Sequence, residues 1–201
     1  MTRFTRLMVV STMAAGLAAC GGGAKLGGGK EGAAQAAFQA SQPAGRNGKT
    51  ASNLLDRALA SGATSVTITA NCAKSGRASL VLQSFTAGID NVTFNYSITY
   101  DACNEDGKNE YNGTMATAMT FAAVNYTSAS MTVAMKGKLT IEGDVADFID
   151  ADVSLKMDYS ATSARSGAVK LVATGYINTS DGNYTYSNSE INITAGELPR
   201  S

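Results

Sequence analysis

Hydrophobic and polar residues alternate with a period of two over most of this chain. The clearest stretch is Val92, Phe94, Tyr96, Ile98 and Tyr100, interleaved with Thr93, Asn95, Ser97 and Thr99. Successive side chains of a strand point to opposite faces, so the pattern predicts a strand with one buried face and one wet face. Similar alternation runs through Val66-Ile68-Ala70, Leu80-Leu82, Met115-Met119-Phe121, Met131-Val133-Met135 and Leu139-Ile141. It continues through Ile149-Val153-Leu155-Met157, Val169-Leu171-Ala173 and Ile191-Ile193. Turn-forming residues separate these runs: Lys74-Ser75-Gly76-Arg77, Glu105-Asp106-Gly107-Lys108, Lys136-Gly137-Lys138, Arg165-Ser166-Gly167 and Asp181-Gly182-Asn183. Connectors this short join antiparallel neighbours, and no helix-length insert of the kind a parallel sheet needs lies between them. The expected fold is mainly β: an antiparallel up-and-down sheet, sandwich or small barrel of about 8–10 strands.

One short N-terminal helix is expected before the strands. Ser52 is placed to cap it, Leu54, Leu55, Ala58 and Leu59 share a face between Asn53 and Ser61, and Gly62 ends it. Upstream, residues 20–49 are Gly, Ala, Gln, Ser and Lys with hardly an apolar anchor, a composition that reads as a flexible tether. Its alanine-rich piece, Ala33 to Ala40, has the makings of a helix formed on contact, with Phe38 its only large apolar residue. The domain division read from the chain is a leader at 1–19, a tether at 20–49 and an antiparallel β domain at 50–201.

The leader has its own grammar. Arg3 and Arg6 precede an uncharged apolar run from Leu7 to Ala19, the layout of a signal peptide. Thirteen residues fall short of the roughly 20 that a membrane-crossing helix requires. The run ends in Leu17-Ala18-Ala19-Cys20-Gly21, which resembles the lipobox of bacterial lipoproteins: an apolar residue three before the cysteine, then two small residues. The resemblance covers the export segment alone. It implies cleavage before Cys20, acylation of that cysteine and a lipid anchor in the cell envelope. Gly21 stands where family members retained in the inner membrane carry aspartate, so the resemblance implies the outer membrane. Several acyl chains suffice for stable anchoring, since each buried CH₂ contributes about 0.8 kcal/mol.

Charge and cysteine content narrow the function classes. The chain has 16 basic and 16 acidic residues; loss of Arg3 and Arg6 leaves 14 against 16, a net of −2. Such a chain is a poor partner for phosphate backbones, and nucleic-acid binding is set aside. With Cys20 assigned to lipid, Cys72 and Cys103 remain, and export carries them to an oxidising compartment where they have one way to pair. The bridge would close a loop of about 32 residues, worth roughly 3–4 kcal/mol by chain entropy. The spacing is not CxxC and histidine is absent, so a redox or metal pair has no support.

The absence of histidine also removes Ser-His-Asp and Cys-His catalysis, and no cofactor motif is present. Asp101, Asn104 and Asp106 form a weak calcium candidate, because an EF-hand register on Gly107 puts Ala102 and Gly113 where carboxylates belong. Asp147, Asp150, Asp152 and Asp158 suggest a carboxylate pair, but apolar residues alternate with them and the plainer reading is the wet side of a strand. Seven Asn-x-Ser/Thr sequons, at Asn91, Asn95, Asn112, Asn125, Asn178, Asn183 and Asn192, fall in Thr/Ser-rich strands and Asn-rich turns. Three, at Asn112, Asn183 and Asn192, also have an acid two residues earlier, a pattern resembling bacterial N-glycosylation acceptors. Finally, Met115, Met119, Met131, Met135 and Met157 are expected on the inner face, where the plainer reading is ordinary core filling and the sharper one a deformable lining that can receive an acyl chain. The function expected is a lipid-anchored, non-enzymatic binding or structural module acting on envelope proteins, with a carrier of an apolar ligand as the alternative.

Overall fold

The computed structural model describes residues 24–41, 57, 58, 60, 65–88, 90–125, 128–163 and 166–191. The lipobox, the later part of the expected tether, most of the expected Asn53–Ser61 helix, and Asn192 and Ile193 lie outside them. Within that helix Arg57, Ala58 and Ala60 are helical, and Ala58 is buried.

Eight strands form one antiparallel sheet in chain order: β1 (Val66–Asn71), β2 (Ser75–Ala87), β3 (Asn91–Asn104), β4 (Asn109–Asn125), β5 (Ser128–Gly143), β6 (Asp147–Ser163), β7 (Ser166–Asn178) and β8 (Asn183–Glu190). The order runs β1 to β8 without a crossover, and among the described residues no pairing between β1 and β8 closes it into a barrel. The alternation along β3 is the one read from sequence: Tyr96, Ile98 and Tyr100 are buried, and Thr99 is exposed.

One turn signal means something else. Lys136-Gly137-Lys138 does not reverse the chain; it lies inside the 16-residue β5, paired with Ala116 to Thr114 on one side and Asp152 to Asp150 on the other. Gly137 has φ +153°, and a Cβ there would stand 2.2 Å from the Thr114 carbonyl oxygen. Gly175 in β7 repeats the device at φ +122°, with its Cβ position 2.2 Å from the Asp152 carbonyl oxygen. Both glycines point to the inner face, where missing side chains let neighbouring backbones close in and the sheet curl.

The concavity holds a helix where a flexible tether was expected. Helix α1 (Gly29–Ser41) contacts strands β4 to β8, and Ala34, Ala36 and Ala37 are fully buried. Ahead of it, Ala24 forms a parallel bridge to Val145, with Ala24 N donating to Asp144 O (2.7 Å) and Ala146 N to Ala24 O (2.9 Å). Leu26 is buried as well. The tether reading fails from Ala24 to Ser41 for a physical reason. Alanine has the highest helix propensity, and its small side chain lets a helix axis approach a curved sheet closely. A segment without large apolar residues can therefore still be core.

Candidate functional site

The register aligns a row of residues across six strands: Tyr96, Thr117, Met135, Val153, Gly175 and Tyr186. Helix α1 lies over this row. Tyr186 Oη donates to the Lys30 carbonyl near the helix start (2.6 Å), and Tyr96 Oη donates to the Ser41 carbonyl at its end (3.0 Å). Tyr100 Oη and Thr117 Oγ1 reach the Ala40 and Ser41 carbonyls at 3.4 and 3.5 Å. The last carbonyls of a helix lack intrahelical partners, and here the sheet supplies them. Thirteen residues at 1.5 Å make about 20 Å, close to the roughly 24 Å from β3 to β8 at 4.8 Å per strand. Burial drives the Tyr96 hydroxyl up to about 12 despite its hydrogen bond with Thr117, which works the other way. Tyr100 and Tyr186 are also raised, first by burial.

On one side of this row the inner face is sealed. Ile98, Met115, Ile177, Leu139 and Ile149 are all fully buried, and Leu26 and Val145 close the end. Asp147 ties that end together. Its Oδ2 accepts from Leu26 N (2.9 Å), and its Oδ1 accepts from Phe148 N (2.7 Å) and Ser180 N (2.8 Å). Burial opposes the charge on Asp147, but the backbone N–H groups outweigh it and its carboxyl sits below the usual value. Asp147 is thus an inward-facing structural anchor rather than a marker of the wet side. Asp150, Asp152 and Asp158 do lie on the outer face, where Asp152 pairs with Lys136 (2.7 Å) and Asp158 with Lys156 (3.0 Å). All three are strung along the strand rather than gathered in a cleft.

On the other side of the row the inner face opens. Val133, Leu155 and Ala173 are buried, Phe94 and Met119 only partly. One step further along the strands come Phe121, Met131, Met157 and Leu171, which pair across β4 to β7. Phe121 is 45% exposed, and Tyr159, next along β6, is 43% exposed. Phe85 stacks on Phe94 at the border, ring centres 5.1 Å apart. Strand parity places all five methionines on this one face, but differently: Met115 and Met135 are buried in the closed half, and Met119, Met131 and Met157 line the open half. Phe121, Tyr159, Phe85 and Phe94 complete that surface. The alternation Met115-Met119-Phe121 already puts Phe121 on the methionine face, whereas Phe94 joins it only through the register, which pairs it with Met119.

The remaining candidates resolve into structure. Cys72 and Cys103 are disulfide-bonded, with Cα atoms 5.5 Å apart. A bulge between Tyr100 and Cys103, with Ala102 at φ +51°, turns Cys103 inward like Tyr100 despite their odd spacing. Glu105 lies near both sulfurs, but bridged cysteines offer no thiolate to a metal. The calcium candidates separate: Asp101 is paired with Arg77 (2.7 Å), Asn104 Oδ1 accepts from Gly107 N, and Asp106 Oδ1 accepts from Lys108 N and Asn109 N. The Asn104 and Asp106 oxygens build a turn, while Asp101 ties β3 to β2. Among the sequons, Asn112 holds the bulge by accepting from Ala102 N (2.8 Å), and its amide donates to Glu110 (3.2 Å). Asn95 donates to Ser84 Oγ (2.7 Å).

No protein-family model matches this chain, and no curated protein or solved structure matches it.

Proposed function

We propose that this protein is a lipoprotein of the bacterial outer membrane, anchored through acylated Cys20, and that its β domain is a non-enzymatic binding module. The reading of location rests on the Leu17-Ala18-Ala19-Cys20 lipobox and the leader before it. The reading of binding rests on one observation: half of the inner face is sealed by α1, and the other half leaves Phe121 and Tyr159 more than two-fifths exposed beside Met131 and Met157. Aromatic and methionine side chains gathered in one patch are the usual composition of a contact surface for another molecule.

A second reading, the carrier of an acyl chain, is favoured by the same methionines, whose unbranched side chains reshape around a flexible ligand. Native mass spectrometry of the protein isolated from its own host's envelope separates the two. A bound lipid-sized mass, lost in Met131→Ser/Met157→Ser, supports the carrier. A bare protein that captures a defined envelope protein through Phe121 supports the module. The anchor has an independent check: Cys20→Ala should release the protein from membranes, and unchanged membrane association would overturn the anchor.

A further inference from the structure

We propose that the domain stands end-on to the membrane, the β5–β6 turn forming its membrane-facing rim and the open apolar half of the inner face pointing away from the lipid. The inference rests on the proposed acylation of Cys20. What it adds comes from the fixed point that follows that residue. Ala24 is held by two backbone hydrogen bonds at the β5–β6 turn, Lys25 Nζ donates to Ala146 O (2.8 Å), and Leu26 N is bound by the buried Asp147. Four residue steps separate Cys20 from Ala24, so a fully extended chain reaches at most about 14 Å. The lipid therefore keeps this rim at the interface instead of letting the domain roam on a long tether.

The long strands then set the direction. Asp144 N bonds to Lys108 O at one end of β4, and Ala123 N bonds to Asp90 O at the other. Fifteen steps at about 3.3 Å place these ends roughly 50 Å apart. Phe121, Met131 and Tyr159 belong to the distant end. The near rim carries Lys25, Asp106, Lys108, Asp144 and Asp181, polar groups of both signs. Such a surface suits the headgroup layer and offers no apolar wedge to the hydrocarbon.

The test uses the full chain, expressed with its leader and incorporated into phosphatidylcholine/phosphatidylglycerol vesicles that carry headgroup-linked energy acceptors. A donor dye is attached through a genetically encoded residue at Glu142, beside the rim, or at Asp90, at the far end; both positions are exposed. Intact mass first establishes whether Cys20 is acylated. Transfer is expected to be several-fold stronger from Glu142 than from Asp90. An insert of about 40 Gly/Ser residues between Gly23 and Ala24, with a reach of about 35 Å, should erase that difference. Acylated protein with equal transfer from both sites, or stronger transfer from Asp90, overturns the orientation and leaves the anchor standing. Protein without acyl chains overturns the anchor itself.

Discussion

The two halves of the inner face are made from the same strands and much the same residues, yet one is core and the other is surface. In the closed half Met115 and Met135 are sealed beneath α1 and the Leu26 segment; in the open half Met131, on the same strand as Met135, and Met157, on neighbouring β6, share that face and remain partly in water. Strand composition does not distinguish them. The difference is the cover: an alanine helix whose ends are pinned by tyrosine hydroxyls spans one row of the sheet and stops. A β-face becomes a core only where a second layer reaches it.

That contrast can be broken or sharpened by substitution. The largest effect is expected at the curvature that creates the concavity. Gly175→Val places a branched side chain at φ +122° against the Asp152 carbonyl and should cost more than about 4 kcal/mol, read as loss of the cooperative urea transition. Next is the direct comparison of methionines. Met115→Ala should cost about 2–5 kcal/mol and Met131→Ala less than about 1, by urea midpoint at constant slope. Equal costs would mean that the halves are not distinct.

The helix pins give a pH signature. Tyr96 is raised to about 12 in the fold, above the ordinary value of 10, so folding favours its neutral form. Its contribution is complete below pH 10 and is lost as pH rises from 10 through about 12, up to roughly 2–3 kcal/mol. Tyr96→Phe should make that part of an alkaline stability profile less steep, the slope owed to Tyr100 and Tyr186 remaining. A smaller cost is expected under the helix. Ala36→Leu overpacks a fully buried site and should destabilise by about 1–3 kcal/mol, visible as a lower thermal midpoint. The smallest effect belongs to the open half: Phe121→Ser should change stability by no more than about 0.5 kcal/mol while removing apolar area from the exposed patch.

Much of the architecture was legible beforehand. The alternation in β3, the turn at Asp106-Gly107 and the pairing of Cys72 with Cys103 were all visible in local residue order, because strand faces repeat every two residues and two exported cysteines have one partner each. The misreadings share a cause. Gly137 looked like a turn because glycine relieves backbone constraint both in turns and at close strand contacts. Residues 24–41 looked like a tether because alanine signals burial only when a concave partner exists. Asp147 looked wet because its three donors come from residues 26, 148 and 180.

The sequence by itself determined most of the strands, their up-and-down order, the face taken by most of their apolar side chains and the disulfide pair, because these depend on neighbours along the chain or on a single available partner. Only the tertiary structure decided how far the sheet curls, which half of its inner face is covered, and that Ala24 is clamped to the β5–β6 turn. Those features depend on contacts between residues more than a hundred positions apart, such as Leu26 with Asp147 and Lys30 with Tyr186, and no local pattern encodes them.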